Sequence, residues 1–362
     1  MIEINDIEVI GLIKRGMIIL LLILPYTGNA DMIEKRDHLI GSCYLDENIF
    51  IREVKVKDNK HKQEPLLLVH GARVAGIGSF DLPVQRGSLA EDLAQARFDV
   101  YIIDLRGYGK SSRPKEMSRP ASESKPLVRT PAAIDDLKCA VNQILKWTDS
   151  QKINILGWAT GGHWAAAYAE QHSYSVNKLI IYNSLYGSVD DHKLLGKGSV
   201  FEDKLNPKQF NHSIGGYQLN TKESLFQAWD LSIPMVEKDL WRDPLVANAY
   251  AQEAMNSDPE SFSHTPPQFR SPTGAMADSF ELAIGQKQWQ AKHLLMPILV
   301  IFSQNDFWSR KADALAIVNE AKQAHLVEIP DGTHFVHLDR AEKGRSLFVS
   351  SVIDFLNSDK SI

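Results

Sequence analysis

The chain has 362 residues, 44% hydrophobic and 23% charged, which places it among ordinary globular proteins long enough to bury a substantial core. Lys and Arg total 40 against 45 Asp and Glu, a formal charge of -5 with no block of one sign, so the basic footprint of a nucleic-acid binder is lacking. Two cysteines, Cys43 and Cys139, are too few for a disulfide scaffold and leave a single bridge open. Cys139 falls opposite the apolar stripe of its predicted helix, and nothing in the sequence brings Cys43 to it.

The first 30 residues read as a leader. Lys14 and Arg15 precede the apolar run Met17 to Leu24, then come Pro25 and the small residues Gly28 and Ala30, the three parts of a secretory signal peptide cleaved after Ala30. The apolar run is about half the roughly 20 residues that a spanning helix needs, so the expectation is export to the periplasm or medium with no stable membrane span afterwards. A membrane anchor is the alternative, and Glu3, Asp6 and Glu8 are unusual for such a leader. Ile40 to Cys43 loosely mimics a lipid-attachment box, but the charged stretch Glu34 to Asp37 separates it from the leader.

Beyond it, residues 51–57 alternate as a half-buried antiparallel strand, whereas Leu66 to Val69 is continuously apolar, as in a central strand covered on both faces. His70 and Gly71 end that strand, a long loop (72–85) follows, and a helix starts at Ser88. A buried strand at 100–103 ends in Asp104. After the polar segment 113–129, Thr130 is the expected cap of a helix with Pro131 at its first position, running to Trp147. Strands at 153–156 and 179–182 bracket an Ala-rich helix through Ala169. The pattern then stops: residues 186–292 hold no comparable strand run and are expected to form a folded, largely helical cap. Strands at 298–302 and 325–329, with helices at 312–321 and 341–356, complete an α/β class with a mostly parallel central sheet flanked by helices. The expected division is a core of residues 45–185 and 293–362 around a cap of 186–292.

The densest chemical signal is Gly157-Trp158-Ala159-Thr160-Gly161-Gly162, a strand breaking sharply into a helix. In a G-x-S-x-G turn the reactive residue lies midway between glycines, because only minimal neighbours let strand and helix approach so closely. The midpoint here is Ala159, which has no attacking atom. Thr160 does not replace it, since its own neighbours two positions away would be Trp158 and Gly162.

Taken together, LLLVHG (66–71), DLRGYGKS (104–111), GWATGG (157–162), Asp306 after a strand and DGTHF (331–335) resemble, in order and spacing, the cap-bearing branch of the α/β-hydrolase superfamily. The resemblance implies an α/β-hydrolase fold, His334 as general base and acid, Asp306 as the group that orients it, and an oxyanion hole from the backbone N–H groups of Ala72 and Thr160. Arg73 and Trp158 are the pocket candidates. Taken alone, Arg73 reads first as a solvated loop charge and second as a partner for a substrate carboxylate. His70, Arg106 and His163 read as structural or pocket-wall residues, and His337 as a neighbour of the catalytic histidine. No histidine has metal-ligand spacing with acidic residues, no phosphate loop or dinucleotide fingerprint occurs, and no cofactor is implied.

Three functions fit. One is an enzyme acting without a covalent step, in which the His-Asp pair hydrolyses an ester, lactone or thioester, or moves a proton beside a carbonyl. Another is a non-catalytic ligand-binding or sensing protein, and the third is a serine hydrolase inactivated by a Ser to Ala change. In each case the expected partner is a small, largely apolar carbonyl compound, not nucleic acid.

Overall fold

Apolar runs with no polar face are stable only when neighbours cover both sides, and this chain stacks them side by side in one eight-stranded sheet. Its first six strands are β1 (Ile33–Gly41), β2 (Asn48–Val56), β3 (Leu66–Val69), β4 (Val100–Asp104), β5 (Ile153–Trp158) and β6 (Val176–Tyr182). An insertion follows. It holds β7 (Tyr217–Asn220), α5 (Lys222–Ser232), α6 (Pro244–Asn256), β8 (Phe269–Pro272) and α7 (Gly274–Ala283). The sheet resumes with β9 (Ile298–Ser303) and β10 (Ala324–Ile329), in the order β1-β2-β4-β3-β5-β6-β9-β10. All neighbours are parallel except β1–β2 and β2–β4.

The computed structural model describes residues 32–41, 47–59 and 63–358. The leader and Cys43 lie outside them. From Met32 onward the chain forms one compact unit. Among the described residues no helix is long and apolar enough to cross a membrane, and no cluster of His, Cys, Asp or Glu could hold a metal ion.

Flanking the sheet are α1 (Gly76–Phe80), α2 (Leu89–Gln95), α3 (Thr130–Thr148), α4 (Thr160–Gln171), α8 (Lys311–Glu320) and α9 (Ser346–Asn357). Ser88 caps α2 by accepting the Glu91 N–H at 3.0 Å. Three expectations are corrected. The sheet begins at Ile33 instead of about residue 45, because the charged stretch 34–37 belongs to edge strand β1, where charge discourages pairing with another chain. The insertion is largely helical, as expected, and adds one short antiparallel pair, β7 and β8, whose four largely polar residues each leave no apolar run to read. Thr130 does not cap α3. Its N–H is instead taken at 2.8 Å by the Asp278 carboxylate of α7, an anion at a helix N-terminus. Finally, Cys139 is buried against the core and disulfide-bonded rather than facing away from it.

Candidate active site

The turn from β5 into α4 is built to bring two backbones together. A Cβ at Gly157 would sit 2.3 Å from the Gly161 carbonyl oxygen, and one at Gly161 would sit 2.3 Å from that of Val69 and 2.4 Å from that of His70. Ala159 stands between them with a positive φ, outside the regions a residue with a Cβ prefers (φ 53°, ψ -121°), held by its N–H donating to the Tyr182 carbonyl at 2.9 Å. For a residue with a Cβ this backbone costs on the order of 1–3 kcal/mol. The sharp turn is therefore intact in geometry while presenting only a methyl group.

Two further loops converge on it. After β9, Asp306 accepts the Trp308 N–H at 2.7 Å through Oδ1 and the Ser309 hydroxyl through Oδ2. Oδ1 also meets His334 Nδ1 at 2.8 Å. An ionised carboxylate has only acceptors, so Nδ1 carries the proton and Nε2 holds the lone pair, without a protein partner among the described residues. The backbone behind His334 is fixed as well. Asn183, at the end of β6 and fully buried, donates through Nδ2 to the Thr333 carbonyl at 3.1 Å and the His334 carbonyl at 3.2 Å. Its Oδ1 accepts the Ser303 N–H at 2.9 Å, tying the ends of the acid and base strands together. Trp158 Nε1 also donates to the His334 carbonyl, at 3.0 Å, and the Tyr182 hydroxyl oxygen lies 3.1 Å from it.

A cavity of about 40 Å³ lies among these groups, lined by Ala72, Arg73, Trp158, Ala159 and His334 of the predicted set. Thr160 is not part of its wall; buried as the first residue of α4, it keeps a backbone N–H without an intrahelical acceptor, and its hydroxyl lies 3.4 Å from that of Ser279. Arg73 is not the solvated loop charge that its position suggested. It reaches from the loop after β3 toward α5, its Nη1 3.5 Å from the Ser224 carbonyl, and no described carboxylate pairs with it. The remaining wall, including Tyr250 from α6 and Phe307, Trp308 and Phe335, is aromatic.

The three other histidines near the site, His70, His337 and His163, are saturated by protein. His70 bridges the Gly71 carbonyl (2.8 Å) and the Leu105 N–H (3.2 Å), so Nδ1 donates and Nε2 accepts. His337 accepts from the Tyr182 hydroxyl at 2.7 Å and donates to the Ser79 carbonyl at 2.9 Å; burial pushes its pKa down to about 3. His163 accepts the Trp289 Nε1–H through Nδ1 at 3.0 Å and contacts the Thr130 hydroxyl through Nε2 at 2.8 Å. Burial lowers its pKa too. Arg106 forms a buried bidentate pair with Asp136 of α3.

The sequence reading missed Asn183, Tyr250, Phe307, Trp308 and Asp339. Asp339 is buried and accepts from Trp229 Nε1 of α5 at 2.9 Å and from the Thr333 hydroxyl at 2.6 Å, joining the cap to the histidine loop. A polar Asn directly after the apolar LIIY strand was the one usable signal.

The model of the alpha/beta hydrolase fold matches residues 64–341. Among curated proteins, the chain is 31% identical over 120 residues to abhydrolase domain-containing protein abhd-5.2 of Caenorhabditis elegans, covering 32% of this chain and 22% of that protein. It is 32% identical over 128 residues to 1-acylglycerol-3-phosphate O-acyltransferase ABHD5 of Homo sapiens, 35% of this chain and 32% of that one. The matches thus span a third or less of these relatives. A thermophilic esterase from Thermogutta terrifontis superposes with a TM-score of 0.56 over 90% of this chain and all of that one, at 18% identity, a likeness of fold. With the sheet order, the glycine-bounded turn and a family match over more than half its length, the chain belongs to the α/β-hydrolase fold family.

Proposed function

We propose that the protein acts on a small carbonyl compound (an ester, lactone or thioester) through His334 and Asp306, without a covalent enzyme intermediate. The observation that carries this reading is the His334 Nδ1–Asp306 contact at 2.8 Å beside a cavity that Ala159 also lines, with Nε2 left free to take a proton. In hydrolysis, Nε2 accepts a proton from water as the water oxygen bonds to the carbonyl carbon. The carbonyl electron pair moves onto oxygen, opposite the N–H groups of Ala72 and Thr160. Collapse then re-forms the carbonyl, breaks the bond to the leaving group and returns the proton from Nε2 to it. Backbone donors and binding alone retain about 10³–10⁴-fold catalysis when triad members are lost in serine proteases, so the missing serine does not abolish the rationale. The acyl chemistry in the name of the human relative agrees with a carbonyl substrate, and export after leader cleavage is part of the same proposal.

The experiment is hydrolysis of a short-chain ester and thioester panel by the protein, by His334→Ala and by Ala159→Ser. Turnover that disappears in His334→Ala supports the reading; turnover unchanged in that variant overturns it. Ala159→Ser should gain fluorophosphonate labelling and burst kinetics, since the strained turn is already formed. A ligand-binding protein is the second reading, favoured by the methyl group at the turn and by the small cavity. Inactivity across the panel, with a ligand co-purifying, selects it.

A further inference from the structure

Two groups on the cavity wall have no role in the chemistry above. Arg73 lines it from the loop after β3, and its guanidinium, always charged, has five donors but no described carboxylate partner and one long contact to a carbonyl. Tyr250 lines it from α6, is 2% exposed, and its hydroxyl has no hydrogen-bond partner among the described residues. Buried donors such as the Tyr250 hydroxyl are ordinarily satisfied, and a cation that is half-buried, as Arg73 is, ordinarily finds an anion beside it. Three arginines in or against the insertion do follow that rule: Arg270 pairs with Asp258, Arg129 with Asp278, and Arg242 with Asp230.

We infer that Arg73 and the Tyr250 hydroxyl form a seat for a carboxylate on the substrate, in the cavity that His334 also lines. The substrate class is then a carbonyl compound with an acid group on the same small molecule, such as the half-ester of a short dicarboxylic acid. The planar fork of an arginine fits two carboxylate oxygens, and a phenol donor adds a third bond. Burial lowers the Arg73 pKa and raises that of Tyr250, the direction expected where neither has yet met a compensating partner. A planar carboxylate suits the limited volume better than a tetrahedral phosphate does. This seat rests on reading the cavity as the substrate site, yet it does not require turnover.

The test is calorimetric binding at pH 7.5 of monomethyl glutarate, dimethyl glutarate and methyl phosphate to the full chain and to Arg73→Leu, Arg73→Lys, Tyr250→Phe and His334→Ala. The half-ester should bind about tenfold or more tightly than the diester, the scale of a charge-assisted hydrogen bond. Arg73→Leu should erase that preference, Arg73→Lys retain part of it, and Tyr250→Phe weaken the half-ester alone by several-fold. Should Arg73→Leu lose its cooperative melt, Arg73→Lys and Tyr250→Phe carry the comparison. Equal binding of half-ester and diester overturns the seat, as does a preference that survives in Arg73→Leu or vanishes in His334→Ala. Tighter binding of methyl phosphate than of the half-ester overturns the carboxylate assignment. Arg73-dependent binding without turnover in any variant would leave the seat standing while the catalytic reading fails.

Discussion

Near helix α4 lie two groupings of histidine, aspartate and hydroxyl, and they differ in what their lone pairs face. In one, the Thr130 hydroxyl sits 2.8 Å from both His163 Nε2 and Asp278 Oδ2, and Trp289 fills the remaining histidine nitrogen. Arg129 and the Thr130 N–H take up the Asp278 carboxylate further. In the other, Asp306 is held by Trp308 and Ser309 and holds His334 in turn, but one nitrogen of His334 is left over beside a cavity. The residue types are nearly the same. Saturation makes the first a clamp joining α3, α4 and α7, and incompleteness leaves the second with the free nitrogen on which the proposed chemistry depends.

The contrast breaks at its strongest point with His334→Ala. This change should lower any carbonyl turnover by about 10²–10⁴-fold, the usual worth of a positioned acid-base group, with little change in urea midpoint. Steady-state kinetics beside urea unfolding would show both halves. Asp278→Ala should behave oppositely. It removes the anion at the start of α3 and one of the two carboxylates on Arg129, leaving Glu281, and should cost about 1–3 kcal/mol in urea unfolding, while half-ester affinity stays within twofold.

A finer test uses Asp339. Burial raises its pKa from 3.8 to about 7, so between those values the native state binds a proton that the unfolded chain has released. Stability from this group is therefore fully present below about pH 4 and falls as pH rises toward 7, by at most about 1.4 kcal/mol per pH unit. Melting temperatures of the protein and of Asp339→Asn between pH 4 and 8 should converge or cross along that slope. Parallel curves would mean that Asp339 titrates alike in both states.

Much of this was legible because it is local. The glycines around Ala159 announce a close approach within a few residues, and Asp306 and His334 follow their strands at short, readable distances. Asn183 is different, since its partners Ser303 and His334 lie 120 and 151 residues away, and no pattern around position 183 encodes them. The same holds for Tyr250, whose meaning depends on α6 folding over a loop that begins near residue 72. Strand β1 was hidden for another reason: edge strands carry charge by design, and charge reads as loop. Thr130 shows the reverse error, a sound local capping signal overruled by a carboxylate 148 residues away.

The cavity's size carries a consequence for rates. A space of about 40 Å³ admits a few water molecules and is narrow for an organic ligand, which should press its walls apart on entering. Those walls include Tyr250 of α6 and Phe335 of the histidine loop, and Trp229 of α5 stacks on Phe335 while bonded to Asp339. Exchange should then have a first-order ceiling: at high ligand concentration the observed association rate levels off at the opening rate of this aromatic seam, whatever molecule waits outside.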